Sequence, residues 1–131
     1  VDLGYRARIA GYENWYLPKA VVYHAGSATS GSAYNEFKVR HTSRNSVYLI
    51  MKNMPWPQIL LNFPFLMAGY VIKMVFFARK GFFRQYVTGI RKGIFLAQKE
   101  DKVVFEKKNF KNYVKIQMEL WFNMIRRIGD F

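Results

Sequence analysis

The sequence predicts a mainly helical α/β fragment, with one short helix and a short β segment followed by a series of amphipathic helices. Three observations predict it. Apolar residues recur at helical spacing through most of the chain. Glycine and proline cut the periodic stretches apart at Gly11, Pro55, Pro57 and Gly81. One short run, Ala20 to Tyr23, has the β-branched and aromatic character of a strand.

Residues 1–10 read as a helix because Leu3, Ala7 and Ala10 share a face and Gly11 can stop it. Tyr12 to Tyr16 alternates weakly, and Leu17-Pro18 turns the chain. After the β-prone run, residues 25–32 are small and polar, with two Gly and three Ser, as in a flexible loop. An amphipathic helix is expected from about residue 34 to 52, its stripe made of Phe37, His41, Arg44, Tyr48 and Met51. Met54-Pro55-Trp56-Pro57 breaks it, since each proline removes a backbone donor and restricts the residue before it.

The most apolar stretch runs from Ile59 to Ala78, with Asn62 and Lys73 as its strongly polar positions. Twenty helical residues span about 30 Å, roughly a bilayer core. Pro64 is expected in the first helical turn, which shortens the usable helix, and Lys73 lies inside the run. A helix half-buried in the bilayer interface or packed on protein is therefore preferred to a single span or an ordinary core helix. Gly81 separates a second helix, 82–99, with Phe83, Tyr86, Val87, Ile90 and Ile94 on one face and Arg84, Arg91 and Lys92 off it. Such a pattern suits a basic helix lying on an anionic membrane. The polar stretch Lys99 to Lys102 ends it. A last helix over about 105–128 carries Phe110, Tyr113, Val114, Trp121, Met124, Ile125 and Ile128 in register.

Composition narrows the function classes. The 131 residues suffice for a modest core, and 51% of them are hydrophobic, so the chain is not disordered by composition. No cysteine is present, which excludes a disulfide scaffold or a Cys-based metal site. The net charge is +13; from Arg79 onward 13 Lys/Arg face 5 Asp/Glu, so +8 of it lies in that last part. Nucleic acid, an anionic membrane or phosphorylated substrates would each answer such a charge. There is no phosphate-cradling Gly-x-x-x-x-Gly-Lys loop, no His-Glu-x-x-His and no nucleophilic Ser-His-Asp elbow. Val1 is followed by neither a charged leader nor an apolar signal run, and the absence of an initiator Met suits a fragment.

Asp2-Leu3 inside a helix with Tyr5, Arg6, Arg8 and Ile9, then Gly11-Tyr12-Glu13, the run to Tyr23, His24 and Gly26-Ser27 form an ordered string. It resembles the end of the catalytic domain of inverting family 2 glycosyltransferases of the GT-A fold, especially rhamnosyltransferase-like members. Arg44-Asn45, Tyr48-Leu49 and Lys52 add a similar Arg-Asn…Tyr-Leu…Lys pattern. The resemblance covers about the first 55 residues. It implies residues 1–54 as the end of a GT-A catalytic domain and 55–131 as a helical, basic, membrane-associating tail. It implies a nucleotide-diphosphate sugar donor, a saccharide or lipid-linked acceptor in cell-surface polysaccharide synthesis, and a place at the cytoplasmic face of the cell membrane. The catalytic base in that family is an Asp that would precede Val1, so no catalytic residue is assigned here and the isolated chain is expected to be inactive.

On position alone His24 reads as a hydrogen-bonded strand-end histidine. With the resemblance it becomes a ligand of Mg²⁺ or Mn²⁺, whose Asp-x-Asp carboxylates would lie upstream. Asp2 suits a helix N-terminus, and Arg6 at i+4 either pairs with it or reaches substrate. Arg44 with Asn45, and Lys52, are candidates for diphosphate oxygens, because arginine presents a planar fork; the plain reading is a solvated helix face. Residues 27–32 serve equally as a lid or a connector. Membrane contact is expected from Phe65, Phe76, Phe77, Arg79, Lys80, Arg84, Arg91 and Lys92. A non-catalytic membrane-surface adaptor is the alternative from another class. Nucleic-acid binding is set aside because the basic residues share helices with very apolar faces and no recognition motif is present. In the longer parent chain, His24→Ala is expected to cut transfer strongly, with a smaller loss when metal is raised. Unchanged turnover at limiting Mn²⁺ or Mg²⁺ would return His24 to a structural role.

Overall fold

A computed structural model of the chain describes residues 2–22, 34–99 and 102–129. It contains α1 (Asp2–Ile9), α2 (Glu36–Asn53), α3 (Trp56–Arg79), α4 (Phe83–Lys99), a 3₁₀ turn at Lys107–Asn109 and α5 (Phe110–Gly129). The chain is mainly helical, and no strand occurs among the described residues. The strand expected at 20–23 is absent over its described part. Residues 20–22 are exposed and irregular, and no second extended segment among the described residues pairs with them.

Local chemistry sets the helix ends. Gly11 and Gly81 take φ of 91° and 81°, the left-handed conformation that glycine adopts without steric cost. Each closes a helix with the same pair of bonds. Tyr12 N donates to Ala7 O at 2.9 Å and Gly11 N to Arg8 O at 3.1 Å; Phe82 N donates to Phe77 O at 2.8 Å and Gly81 N to Ala78 O at 3.1 Å. Asn35 starts α2, its Oδ1 accepting from Lys38 N at 2.8 Å. Pro57 sits in the first turn of α3; Pro64 lies in its interior rather than at its start and removes one backbone donor there, yet α3 runs on for 24 residues, about 36 Å.

The chain forms two compact units, residues 1–18 with 104–131 and residues 19–103. In the first, α1 packs on α5. Ile9, Tyr113 and Ile116 are buried together with Tyr5 against them. Arg8 Nη2 donates to both carboxylate oxygens of Glu119 at 2.6 and 2.5 Å, and Asn112 Nδ2 donates to Ile9 O at 2.9 Å. The face expected for α5 is only partly the buried one: Phe110, Val114 and Ile125 are exposed.

In the second unit α2 and α4 lie side by side and parallel, Gly89 against Arg40 and Ser43, Gly93 against Arg44 and Val47. A Cβ at Gly89 would overlap the Ser43 hydroxyl and stand 2.5 Å from Arg40 O; one at Gly93 would stand 2.5 Å from Arg44 O. Small residues four apart on one helix let two backbones touch. The buried stripe of α2 is therefore Val39, Ser43 and Val47, about a third of a turn from the expected stripe of Phe37, His41, Arg44, Tyr48 and Met51. Ser43 Oγ meets its own hydrogen-bonding need by donating to Val39 O at 2.8 Å. Tyr86, 1% exposed, fills the space beside this contact and stacks on Phe77 at 5.2 Å.

Gly93→Ala should lower stability by about 1–3 kcal/mol, the usual range for overpacking, because a backbone carbonyl blocks the added carbon. Gly69→Ala, with open space around it in α3, should be neutral or stabilising, since alanine is the better helix former by about 1 kcal/mol. Urea unfolding followed by circular dichroism checks both. Equal midpoints for wild type and Gly93→Ala would mean that the helices do not meet at Gly93.

Candidate functional site

α3 is turned inside out relative to a helix of a water-soluble protein. Its buried residues are polar, Gln58 and Asn62, and Asn62 Nδ2 donates to Gln58 O at 2.8 Å. Its apolar side chains point outward, with Leu60 and Ile72 each 69% exposed and Phe63, Phe65 and Val71 near half. Across an 18-residue apolar window only 6% is buried. Tyr70 takes part in the polar seam: its hydroxyl lies 3.1 Å from Ser46 Oγ on α2, and its carbonyl accepts from Tyr86 on α4 at 3.2 Å. Burial pushes the Tyr86 phenol up to about 12, with the neighbouring Tyr70 as a smaller cause, so it stays a donor. Ser46, Ile50, Phe65, Leu66, Tyr70 and Lys73 line an open groove of about 150 Å³ between α2 and α3.

α4 presents two surfaces. Gly89 and Gly93 face α2, and Phe83 and Ile94 remain exposed on the flank. Arg84 and Arg91, two turns apart, form an exposed row beside them. Lys92 does not join that row. It lines a recess of about 120 Å³ with Arg40, His41 and Arg44 of α2. There Asn45 Oδ1 accepts from Arg44 Nε at 3.0 Å and Arg44 Nη2 at 2.9 Å, and His41 Nδ1 lies 2.9 Å from Phe37 O.

The other expected site residues are dispersed. Asp2 pairs with Arg6 at 2.9 Å within α1, a local pair with both side chains partly exposed. These two belong to the first unit, and Arg44, Asn45 and Lys52 to the second. Lys52 is two turns beyond Arg44, with Nζ 5.3 Å from the centre of the Tyr48 ring. Phe65 is exposed as a membrane contact requires. Phe76 is also exposed, and it and the half-buried Phe77 join an aromatic cluster with Tyr34, at centroid distances of 5.6 and 5.9 Å. Arg79 and Lys80 end α3 in the open. His24 and the loop at 27–32 lie outside the described residues. Among the described residues no three His, Cys, Asp or Glu gather, so they supply no donor set for a divalent ion.

Sequence reading missed Arg40 and the pairing of Lys92 with α2; the signal was Gly89-x-x-x-Gly93, which brings α4 onto α2. It also missed Lys102. Its Nζ donates to Met51 O at 2.7 Å and lies 4.5 Å from the centre of the Trp56 ring, and Val103 N donates to Lys52 O at 2.9 Å. A cation on the last carbonyls of α2 complements the helix dipole, while burial holds the Lys102 amine below the usual lysine range. The chain matches no protein-family model, no curated protein and no solved structure.

Lys102→Met should cost about 1–2 kcal/mol, the loss of one charge-assisted hydrogen bond and its ring contact. Lys107→Met, at an exposed side chain, should cost nothing measurable. Thermal unfolding of the two variants compares them, and identical midpoints would show that Lys102 does not hold α2.

Proposed function

We propose that this chain is the membrane-associating C-terminal part of an inverting glycosyltransferase. Its second unit lies on the anionic cytoplasmic face of the cell membrane. The parent enzyme passes a sugar from a nucleotide-diphosphate donor to a saccharide or lipid-linked acceptor. The observation that carries the membrane reading is the reversed α3, with polar residues inward and apolar ones outward. The transferase reading rests on the resemblance of the first 55 residues to the end of a GT-A domain. A divalent metal in such an enzyme would need carboxylates beyond those described here.

The arrangement of the helices supports lying on the bilayer over crossing it. α2 and α4 are parallel at Gly89 and Gly93, and α3 runs back along α2, with Tyr70 by Ser46 and Phe76 by Tyr34. All three helix axes thus lie along one line, α3 antiparallel to the other two. α2 and α4 carry Arg40, Arg44, Lys52, Arg84, Arg91 and Lys99 along their lengths. A charge at the bilayer centre costs at least about 2.5–3.5 kcal/mol, so a crossing would place several of them at that cost. Lying flat, the layer sinks the apolar side of α3 and the Phe83–Ile94 flank to headgroup depth and leaves Arg84 and Arg91 at the charged surface. The same geometry also serves a non-catalytic membrane adaptor, a reading favoured by the missing strand at residues 20–22. Sugar transfer by the parent chain separates the two.

Co-sedimentation with vesicles of graded anionic content tests the docking. Arg84→Gln with Arg91→Gln should weaken binding to anionic vesicles roughly 30-fold, at about 1 kcal/mol for each cation near the surface, and spare neutral ones. Leu60→Asp with Ile72→Asp should weaken binding to both. High salt should release wild type only in part, because screening leaves the apolar contribution. A monodisperse chain in detergent-free buffer that binds no vesicle would overturn the membrane reading.

A further inference from the structure

We propose that the recess between α2 and α4 is a binding site for a phosphate monoester or a diphosphate, held by Arg40, Arg44 and Lys92. The inference uses the packing of α2 on α4, and no step of sugar transfer or membrane docking.

Charge comes first. Two guanidinium groups, one ammonium and the His41 imidazole line one recess, with no carboxylate among the lining residues. Four of the five described carboxylates find cations elsewhere: Asp2 with Arg6, Glu119 with Arg8, Glu106 with Lys108 and Glu13 with Lys115. Arg40 stands one helical turn from Glu36, yet no ion pair joins them, and neither Arg44 nor Lys92 has an acidic partner among the described residues. Like charges gathered without an acid repel one another, and a dianion relieves several repulsions at once. A carboxylate ligand would offset one of three positive charges. A phosphate monoester or diphosphate offsets two or more.

Geometry comes second. The backbones that carry the cations are locked: Arg40 O and Arg44 O are the atoms that a Cβ on Gly89 or Gly93 would strike, and Lys92 is the residue next to Gly93. The cations therefore start from a rigid frame, and binding spends little on ordering it. Asn45 is a positioning residue. By accepting from Nε and Nη2 it holds the plane of the Arg44 guanidinium and leaves the remaining N–H groups to donate elsewhere. His41 donates through Nδ1 to Phe37 O, which fixes the ring beside the recess and leaves Nε2 out of that bond. The volume of about 120 Å³ far exceeds the roughly 10–15 Å³ that one water needs on the same measure. The recess opens to the surface, so a phosphate can enter while the group that carries it stays outside.

Two sources supply this chemistry, a soluble diphosphate and the headgroup of a phosphomonoester lipid, and two arms tell them apart. In the first, the full chain in nanodiscs of neutral lipid is titrated with inorganic pyrophosphate by calorimetry at low salt. Arg40→Gln and Lys92→Gln should each weaken binding about tenfold or more, the size of one charge-assisted hydrogen bond. Lys107→Gln and Lys111→Gln, which remove the same charge elsewhere on the surface, should change it less than about twofold. In the second, flotation compares neutral vesicles doped with phosphatidic acid, a monoester, with vesicles doped with phosphatidylglycerol, a diester, at equal surface charge. A preference for phosphatidic acid that is lost in Arg40→Gln and Lys92→Gln, without pyrophosphate binding, assigns the recess to a lipid. Pyrophosphate binding lost in the same two variants assigns it to a soluble ligand. Equal losses in recess and control variants, or no binding of either probe, would overturn the proposal; helix content by circular dichroism confirms that each variant is folded.

Discussion

Everything in the second unit depends on how closely α2 approaches α4. Two glycines with no side chain on the contact line allow backbone carbonyls of α2 to sit where a Cβ would otherwise be. Close approach replaces apolar area as the main source of cohesion there: the contact is made by Gly89, Gly93, Ser43 and Val47 rather than by large side chains. Dispersion between touching backbones is strong at short range and vanishes with a small gap. The contact also sets the angular position of everything else on both helices. It places Lys92 beside Arg40 and Arg44, and turns Phe83 and Ile94 outward.

A helix pair held by glycines leaves no broad apolar cleft for a third helix. α3 meets its neighbours through polar atoms, Tyr70 with Ser46 and Tyr86, and through the rings of Phe76 and Phe77 at one end, and it buries Gln58 and Asn62. In water such a helix would be held by hydrogen bonds worth about 1 kcal/mol each while exposing Leu60, Phe63, Phe65 and Ile72. In an apolar surrounding the balance reverses: the hydrogen bonds have no competing water, and the outward side chains are solvated by hydrocarbon. The same packing is a liability in one solvent and a design in the other.

Helix ends were readable because their causes are local. Gly11, Gly81 and the Pro55/Pro57 pair act within a turn of where they stand, and the observed bounds follow them. Helix faces were less readable, because apolarity and burial part company here. The apolar stripe of α2 through Phe37 and Tyr48 is not its inner face; Ser43 is inside because it is small and bonds its own backbone. On α5 likewise Phe110 and Ile125 are outside while Gln117 is buried. The run at 20–22 had strand propensity without a partner, and propensity alone does not make a ladder. Of the candidate site, the Asp2–Arg6 pair and the Arg44–Asn45 unit were legible as neighbours in sequence. Arg40 with Lys92 was not, since they are 52 positions apart and only the glycine spacing joins them.

The salt bridge between Arg8 and Glu119 spans 111 positions. Its consequence is one of timing. At a synthesis rate of about 5–20 residues per second, α1 leaves the ribosome roughly 5–20 s before α5 exists to cover it. Throughout that interval α2, α3 and α4 can assemble among themselves, whereas Ile9 and Tyr5 wait without their partners. α1, made before the three-helix layer, thus belongs to the unit completed after it, and a chain that stops short of Tyr113 yields a finished three-helix layer with an orphaned α1.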